Sequence, residues 1–435
     1  MEQSRRSFMK SSTVAGAALG LGLAGVSSSY AANEKVRAAV IGVRGRGRSH
    51  IKGFNGLPNV DVVALCDVDE RESAKRVGEL EAAGAVKPRT YVDMRELLEQ
   101  KDIDVVSIAT PNHWHSLCAI WAMQAGKDCY VEKPCSHNVY EGRKLVQAAQ
   151  TYNRICQHGT QIRSSLAVRE AMELLRDGVI GDLYMAKGLC YKWRNTIGKK
   201  PDENAPSGVN YDLWLGPAPQ RSFSANRFHY NWHWHWDYGN GDVGNQGVHQ
   251  MDVARWGLGV GLPKKAQSMG GHYMFDDDQE TPNTLVSTFE YPEQKKMLVF
   301  EVRHWVSNNE NVGAPGRNSV GVIFYGSEGI MVIPSYNSYK VFLGRSHEPG
   351  PANQVGGNHF KNFVDAVVAN DAKILNAPIE EGHVSSALCH LANVAYRVGR
   401  TIEFDPKTEQ CLNCAEGDEL LTRNYRAPYM IPEIT

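Results

Sequence analysis

The sequence predicts an α/β chain: a doubly wound parallel sheet first, then an α+β domain with a large, mostly antiparallel sheet. Three observations carry this. From Val36 to about residue 155, short apolar runs alternate with amphipathic helical periods, the pattern of strands joined by crossovers. Beyond that point strand-like runs follow one another with few helices between them, which favours antiparallel pairing. The 435 residues, 42% hydrophobic and 22% charged, suffice for two domains with sizeable cores. The formal net charge is −1, so no basic field exists to hold nucleic acid. Nine cysteines are too few for a disulfide scaffold, and their odd number leaves at least one thiol unpaired within the chain.

The first element is an address. Ser4-Arg5-Arg6-Ser7-Phe8-Met9-Lys10 precedes a weakly apolar, Gly- and Ala-rich run, Thr13 to Val26, and then Ser29-Tyr30-Ala31. Twin arginines, a short apolar stretch and a small-x-small cleavage pattern together read as a twin-arginine export signal over residues 1–31. The expected partner during export is the twin-arginine translocase, and the expected location is the periplasm or another exported compartment. A mature chain would start near Ala32. A retained anchor is the other option, although the run is short for a membrane span.

The parallel-sheet domain is expected over residues 34–155. Val36–Ile41 and Val60–Cys66 are β-rich, and Asp69–Ala83 has the period of a charged amphipathic helix. Asp104–Ala109 and Cys129–Val131 continue the strands, with helices over His115–Ala125 and Val139–Thr151. The turn after the first strand reads Gly42-Val43-Arg44-Gly45-Arg46-Gly47. It approximates the dinucleotide fingerprint Gly-x-Gly-x-x-Gly, with Arg44 in the middle position and Gly45 beside it. Such glycines let backbone N–H groups approach a pyrophosphate at a helix N-terminus. Asp67 lies 20 residues beyond Gly47 at the end of the second strand, where a carboxylate accepts from ribose hydroxyls. A 2′-phosphate would be repelled there, so NAD is favoured over NADP. Arg44 and Arg46 offer an opposing positive charge.

Two further motifs sit at strand ends, where open α/β sheets place their ligands. Thr110-Pro111-Asn112-His113-Trp114-His115 follows one strand, and Glu132-Lys133-Pro134 ends the next, 17 residues after His115. With the glycine turn, these motifs resemble the glucose–fructose oxidoreductase/inositol dehydrogenase (Gfo/Idh/MocA) family, over essentially the whole chain after the export signal. The resemblance implies a Rossmann domain binding a nicotinamide dinucleotide. It also implies that Thr110, Asn112, His115 and Glu132 line the cofactor cleft, that Lys133 reaches the oxygen of the substrate carbon, and that the Lys133–Pro134 peptide is a candidate for the cis form.

The second domain, over residues 156–435, is expected to hold the substrate and to oligomerise. Leu183–Trp193, Thr284–Tyr291, Lys296–His304, Val320–Gly326, Ile330–Ile333 and Tyr339–Leu343 read as its strands. If 245–258 is helical, Asn245, His249, Asp252 and Trp256 share one face. The family pattern Asp-x-Gly-x-His-x-x-Asp matches Asn245 through Asp252 with Asn in place of the first Asp, and implies a catalytic His249. On chemistry alone, an imidazole suits proton transfer from an alcohol, but a lone histidine is more often a core residue. Asn245 can only hydrogen-bond a hydroxyl.

Trp232, Trp234 and Trp236 are read as a sugar platform, with Asp237 as a neighbouring substrate contact and ordinary core aromatics as the alternative. His233, His235 and Asp237 raise a metal site, but no further close-spaced ligand completes one, so none is expected. Tyr191, Lys192, Arg194 and His359 are weaker candidates for the same cleft. Glu380–Val398 reads as a structural helix. The lone Cys411-x-x-Cys414 is expected to carry neither zinc nor redox chemistry.

The function that follows is an NAD-dependent oxidoreductase. It moves hydride between a ring carbinol of a sugar, glycoside or polyol and a tightly held nicotinamide. One alternative is a redox-neutral glycosidase working by oxidation and elimination; another is a carbohydrate-binding module without catalysis. A homo-oligomer is implied by the resemblance alone.

Overall fold

The computed structural model describes residues 35–305 and 318–434, so the export signal and its cleavage point lie outside the described residues. The N-terminal sheet is formed by β1 (Val36–Ile41), β2 (Val60–Cys66), β3 (Arg89–Tyr91), β4 (Val105–Ile108), β5 (Asp128–Val131) and β6 (Cys156–His158), in the order β3-β2-β1-β4-β5-β6. All its pairings are parallel. Helices cover both faces, so β4 is buried at every residue and reads as a continuous apolar run rather than an alternating one. The helices are α1 (Arg46–Asn55), α2 (Glu70–Ala82), α3 (Met94–Leu98), α4 (Asn112–Gln124) and α5 (Val139–Thr151). Their starts are legible in the sequence. Asp69 caps α2 by accepting from the Arg71 N–H, and Asn138 caps α5 by accepting from the Glu141 N–H at 2.9 Å, while Glu141 accepts from the His137 N–H.

The chain continues through α6 (Leu166–Arg176) and β7 (Leu183–Tyr191) to α7 (Tyr211–Leu215) and α8 (Val248–Leu258). Strands β8 (Lys265–Gly271), β9 (Thr284–Tyr291), β10 (Lys296–Arg303), β11 (Ser319–Gly326), β12 (Gly329–Ser335), β13 (Ser338–Leu343) and β14 (Glu348–Gln354) follow. The last elements are α9 (His359–Ala369), α10 (Ile379–Val398), β15 (Ile402–Asp405), β16 (Gln410–Cys411) and α11 (Ala415–Glu419). Ten strands form one sheet in the order β14-β13-β12-β11-β7-β10-β9-β8-β15-β16. It is antiparallel except between β7 and β10. Helices α8 and α10 bury one face, where Val248, Met251, Leu388 and Leu391 join Leu298, Phe300 and Phe324 in the core.

Two departures from the sequence boundaries matter for the site. Helix α9 belongs by sequence to the second half, yet its Phe363, Val364 and Val367 complete the core formed by β1, β2 and α1. And the segment between β7 and α8 leaves the large sheet and crosses the N-terminal one. There the Glu70 N–H donates to Gly208 O at 3.0 Å and the Asn210 N–H to Val68 O at 2.8 Å. Trp214, Leu215, Phe223, Phe228 and Tyr238 give this strap a small core of its own.

Candidate active site

The carboxyl ends of β1, β2, β4 and β5 open into a cleft of about 380 Å³, closed from the other side by the strap. The glycine turn forms its floor. Gly42 has φ +79° and Gly45 φ +47°, left-handed conformations that glycine adopts at little cost. A Cβ on Gly42 would lie 2.7 Å from Ala109 O, and one on Gly47 only 1.7 Å from Gly42 O. Helix α1 therefore starts against the end of β1 at a distance only glycine permits, and the cleft floor is bare backbone, as a dinucleotide requires. Asp67 ends β2 with Oδ2 accepting from the Val43 N–H at 2.8 Å and Oδ1 from the Asp69 N–H at 3.0 Å. Burial raises its pKa to about 6 despite these bonds. Gly42, Arg44, Gly45, Arg46, Asp67, Thr110, Asn112, His115, Glu132 and Lys133 all line the cleft as the sequence predicts. Gly47 packs behind it.

Several of them take roles the sequence did not show. Arg44 reaches Glu72 at 3.3 Å, and Arg46 turns to Glu132 at 2.7 Å. Glu132 is saturated: Oε1 meets Arg46 and the Nε2 of His50, and Oε2 accepts from the backbone N–H of Lys133. Glu132 therefore anchors the end of β5, and Arg46 is committed to it rather than to a phosphate. The arginine and the histidine hold the Glu132 carboxyl well below the usual range against the opposing effect of its burial. His50 is fully buried, and its Nδ1 meets Ser107 Oγ at 2.7 Å. His115 places Nδ1 at 2.6 Å from Pro134 O and Nε2 at 2.7 Å from Thr110 O, which ties the β4 and β5 loop ends together. The Lys133–Pro134 peptide is cis.

Lys133 is the chemical centre of the wall. Its Nζ donates to the backbone carbonyl of Asn245 at 2.5 Å. Burial lowers its pKa to about 8, against a counteracting pull from Glu132. The carbonyl is available because Val243–Gly247 form a π-helical turn ahead of α8, and such turns loosen the regular backbone pairing. The extra residue in that turn also breaks the expected face. Asn245 lines the cleft, whereas Asp252 pairs with Arg163 at 2.8 Å and Trp256 lies under the same guanidinium at 5.0 Å.

His249 is a partial correction. It stands near Lys133, whose charge and, more strongly, burial hold its imidazole well below the usual pKa, and its Nδ1 has no partner. But it is 2% exposed and contributes nothing to the cleft wall, facing the Tyr336 ring at 5.0 Å.

The other substrate candidates divide. Arg194 lies close by but is held bidentate by Asp242 at 2.5 and 2.7 Å, which also accepts from Asn245 Nδ2 and meets His304 Nε2 at 2.6 Å. Lys192 donates to Gln246 Oε1 at 2.5 Å. Tyr191 is misplaced: it packs with Leu189, Ile323 and Val332 on the face of the sheet opposite α8, its hydroxyl on Glu301, because alternate strand residues point to opposite faces. Trp236 and Asp237 line a separate cavity of about 550 Å³ with His390 and Arg397, and Asp237 pairs with Arg221 at 2.6 Å. His359 is buried between Ser164 and His158 O. Among the described residues no cluster of three or more His, Cys, Asp or Glu is placed to hold a metal.

The strap contributes more than the sequence reading gave it: Trp232 and His233, from the run read as a sugar platform, line the cleft, and so do Trp214, Phe228, His229 and Tyr230, which that reading did not name. His233 sets Nδ1 against Tyr230 O at 2.6 Å, stacks on Trp232 at 3.6 Å, and has its pKa lowered to about 3 by burial. Sequence reasoning also missed Asn240, which accepts from Asn112 Nδ2 at 2.9 Å and donates to His137 O at 3.1 Å. The density of aromatics and histidines from 228 to 238 was the available signal.

The chain is similar to several known proteins. Residues 2–22 match the twin-arginine translocation pathway signal sequence, so the chain is exported by that pathway. A glycosyl hydrolase family 109 protein of Saccharopolyspora erythraea is 31% identical over 208 residues, 42% of this chain and 45% of that protein. A family 109 protein of Shewanella sp. (strain ANA-3) is 34% identical over 154 residues, 34% of each chain. The matches therefore span less than half the length of these relatives. Among solved structures, the WlbA dehydrogenase of Bordetella pertussis, in complex with NADH and UDP-GlcNAcA, aligns with a TM-score of 0.64 at 18% identity, over 86% of this chain and 99% of that one. Levoglucosan dehydrogenase, in complex with NADH and levoglucosan, gives 0.65 at 16% identity, over 85% and 99%. Residues 36–160 match the oxidoreductase family's NAD-binding Rossmann fold, and residues 166–267 and 346–431 its C-terminal alpha/beta domain. With its bare glycine floor, the Asp67 carboxylate at the end of β2 and both domain matches, the chain belongs to the Gfo/Idh/MocA family of NAD-binding oxidoreductases.

Proposed function

We propose that the protein oxidises and reduces a ring carbinol of a sugar, glycoside or polyol against a tightly held NAD, with Lys133 handling the proton. The observation that carries this reading is the Lys133 amine: it sits on the cleft wall, fixed on Asn245 O, with a pKa near 8. An amine poised near neutrality gives and takes protons with little bias. NAD bound over the glycine turn supplies the hydride acceptor or donor. When the carbinol is oxidised, its hydroxyl proton goes to the Lys133 amine. In the reverse direction the ammonium returns it. Glu132 holds the Lys133 backbone, and Asn245 O holds its Nζ, so the nitrogen's position is fixed before substrate arrives. His249 stands behind the lysine with its Nδ1 unpartnered, and its lowered pKa makes it the weaker base of the two. Asp67 favours NAD over NADP, since Arg44 is drawn toward Glu72.

Export supports retention of the nucleotide, because free NAD is scarce outside the cytoplasm. The strap crosses the end of β2, where Asp67 sits, and its bonds to Val68 and Glu70 must break before that end opens. The curated relatives' glycosidase names favour one second reading. In it, oxidation of a ring carbinol acidifies the neighbouring carbon, the aglycone is eliminated, water adds, and the carbonyl is reduced again. Lys133 would serve the oxidation and reduction steps of that cycle as well.

Purified exported protein, denatured and assayed by mass spectrometry, should release about one NAD(H) per chain. Reduction of that nucleotide by a sugar, lost in Lys133→Met with nucleotide retained, supports the proposal. Aglycone released from an aryl glycoside without net NADH selects the glycosidase. Empty protein that takes up no NAD overturns both.

A further inference from the structure

The Cys411-x-x-Cys414 pair, set aside at the level of sequence, acquires a specific geometry in the fold. Cys411 ends β16, and Cys414 immediately precedes α11. Both sulfurs border the same glycine: a Cβ placed on Gly417 would lie 3.2 Å from Cys414 Sγ and 3.3 Å from Cys411 Sγ. Gly417 has no side chain to keep them apart. Cys414 Sγ accepts two hydrogen bonds, from Arg400 Nε at 3.2 Å and from the Gly417 N–H at 3.2 Å. It is 5% exposed, whereas Cys411 is partly open to solvent, between the pairing of β16 and the exposed Leu412. The other seven cysteines are all buried. No third ligand stands by for a metal among the described residues.

We infer that Cys411 and Cys414 are a modification site: the pair closes into an intramolecular disulfide once the folded protein reaches an oxidising compartment. The oxidant is a disulfide, either of another protein or of low molecular weight, and the chemistry is thiol–disulfide exchange. Cys411, the more accessible, attacks first. Its sulfur bonds to one sulfur of the incoming disulfide, whose S–S bond breaks and releases one thiol. Cys414 Sγ, oriented by Arg400 and Gly417, then attacks Cys411 Sγ, forms the Cys411–Cys414 bond and expels the second thiol. Two protein thiols are oxidised, one external disulfide is reduced to two thiols, and the cysteine protons leave on those thiols. The reducing thiol pool of the cytoplasm keeps the pair open while the chain folds there.

The position gives the bond a consequence. Glu409, two residues before Cys411, joins Arg143 of α5 at 2.5 Å and His383 of α10 at 2.9 Å. Closing the pair fixes the β15–β16 hairpin and α11 as one unit, and so holds a residue that ties α5 to α10.

The test uses the full-length protein in two preparations, one from the periplasm and one from a strain blocked in twin-arginine export. Each is alkylated under denaturing conditions before and after reduction, then mapped by mass spectrometry. The expected result is that only the periplasmic sample gives a 411–414 peptide 2 Da light that gains two alkyl groups on reduction. Incubating the cytoplasmic form with oxidised glutathione should produce the same mass, with a rise of a few degrees in Tm. In Cys414→Ser the glutathione adduct should instead remain trapped on Cys411. Free thiols at both positions in the periplasmic protein overturn the inference. So does a wild-type glutathione adduct that persists without resolving, which would show that Cys414 cannot reach Cys411.

Discussion

A lysine that serves chemistry while partly buried should cost the fold stability, and the cost can be worked out. The Lys133 pKa falls from 10.5 to about 8, chiefly through burial, which corresponds to roughly 3 kcal/mol of disfavoured charge. Below pH 8 the group is charged in both folded and unfolded protein, so the native state bears the whole cost. Between pH 8 and about 10.5 the native state has lost the proton and the unfolded chain still holds it. The unfolded chain then binds more protons, so stability rises with pH across that window. Lys133→Met keeps the length of the side chain and removes the charge. It also leaves Asn245 O without its donor, a loss of about 1 kcal/mol. The variant should thus be about 2 kcal/mol more stable than wild type at pH 7 and no more stable near pH 10.5. Urea unfolding of nucleotide-free protein at the two pH values measures this. Turnover, meanwhile, should fall by about 10²-fold or more. A variant less stable than wild type at pH 7, or a difference that ignores pH, would show that Lys133 is neither buried nor poised as argued.

Other substitutions probe the rest of the site. Gly47→Ala puts a methyl group against Gly42 O, so the turn must shift, and NAD content should drop more than tenfold while the circular dichroism spectrum is kept. Arg163→Met strands the Asp252 carboxylate, 1% exposed, and should destabilise by about 3–5 kcal/mol in urea, more than any surface arginine. Trp236→Ala should leave kcat/KM within twofold of wild type, because Trp236 lines the other cavity; a tenfold loss would restore the sugar platform to it.

How much of this was visible beforehand follows from the range of the interactions. The parallel sheet was legible because each crossover unit announces itself locally: apolar strand, turn, amphipathic helix. The glycine turn, Asp67 and the two strand-end motifs were legible because backbone geometry dictates residue type there. What failed was direction. Tyr191 and Arg194 are three residues apart at the end of one strand, yet only Arg194 reaches the neighbourhood of the site, and strand period alone did not say which face was covered. Asn245 and His249 parted because a π-helical turn, which no periodicity signals, precedes α8. That Glu132 and Arg46 bind each other was not legible because they lie 86 residues apart in the chain. The strap was legible only in part for the same reason. Its aromatic run suggested a sugar platform, but only the fold shows that Trp232 and not Trp236 lines the cleft.

The two halves meet through directional polar contacts as well as apolar packing, and this leads to a last prediction. Lys133 must be held within a fraction of an ångström to transfer a proton to a chosen hydroxyl. Hydrophobic contacts tolerate sliding; hydrogen bonds between buried groups do not. Asn240 is the point where this can be tested. Its side chain accepts from Asn112 at 2.9 Å and donates to His137 O at 3.1 Å, while its backbone carbonyl accepts from Asn393 at 3.1 Å. Asn240→Ala removes the first two bonds and leaves two buried partners unsatisfied, at about 1–3 kcal/mol each. It keeps the third, so α10 stays attached. If the polar seam positions the reacting groups, kcat should fall tenfold or more with little change in NAD content, and Asn240→Asp, which keeps the acceptor toward Asn112, should recover part of it. Loss of stability with kcat intact would mean that the seam merely joins the halves, and that the lysine is positioned by Glu132 and Asn245 alone.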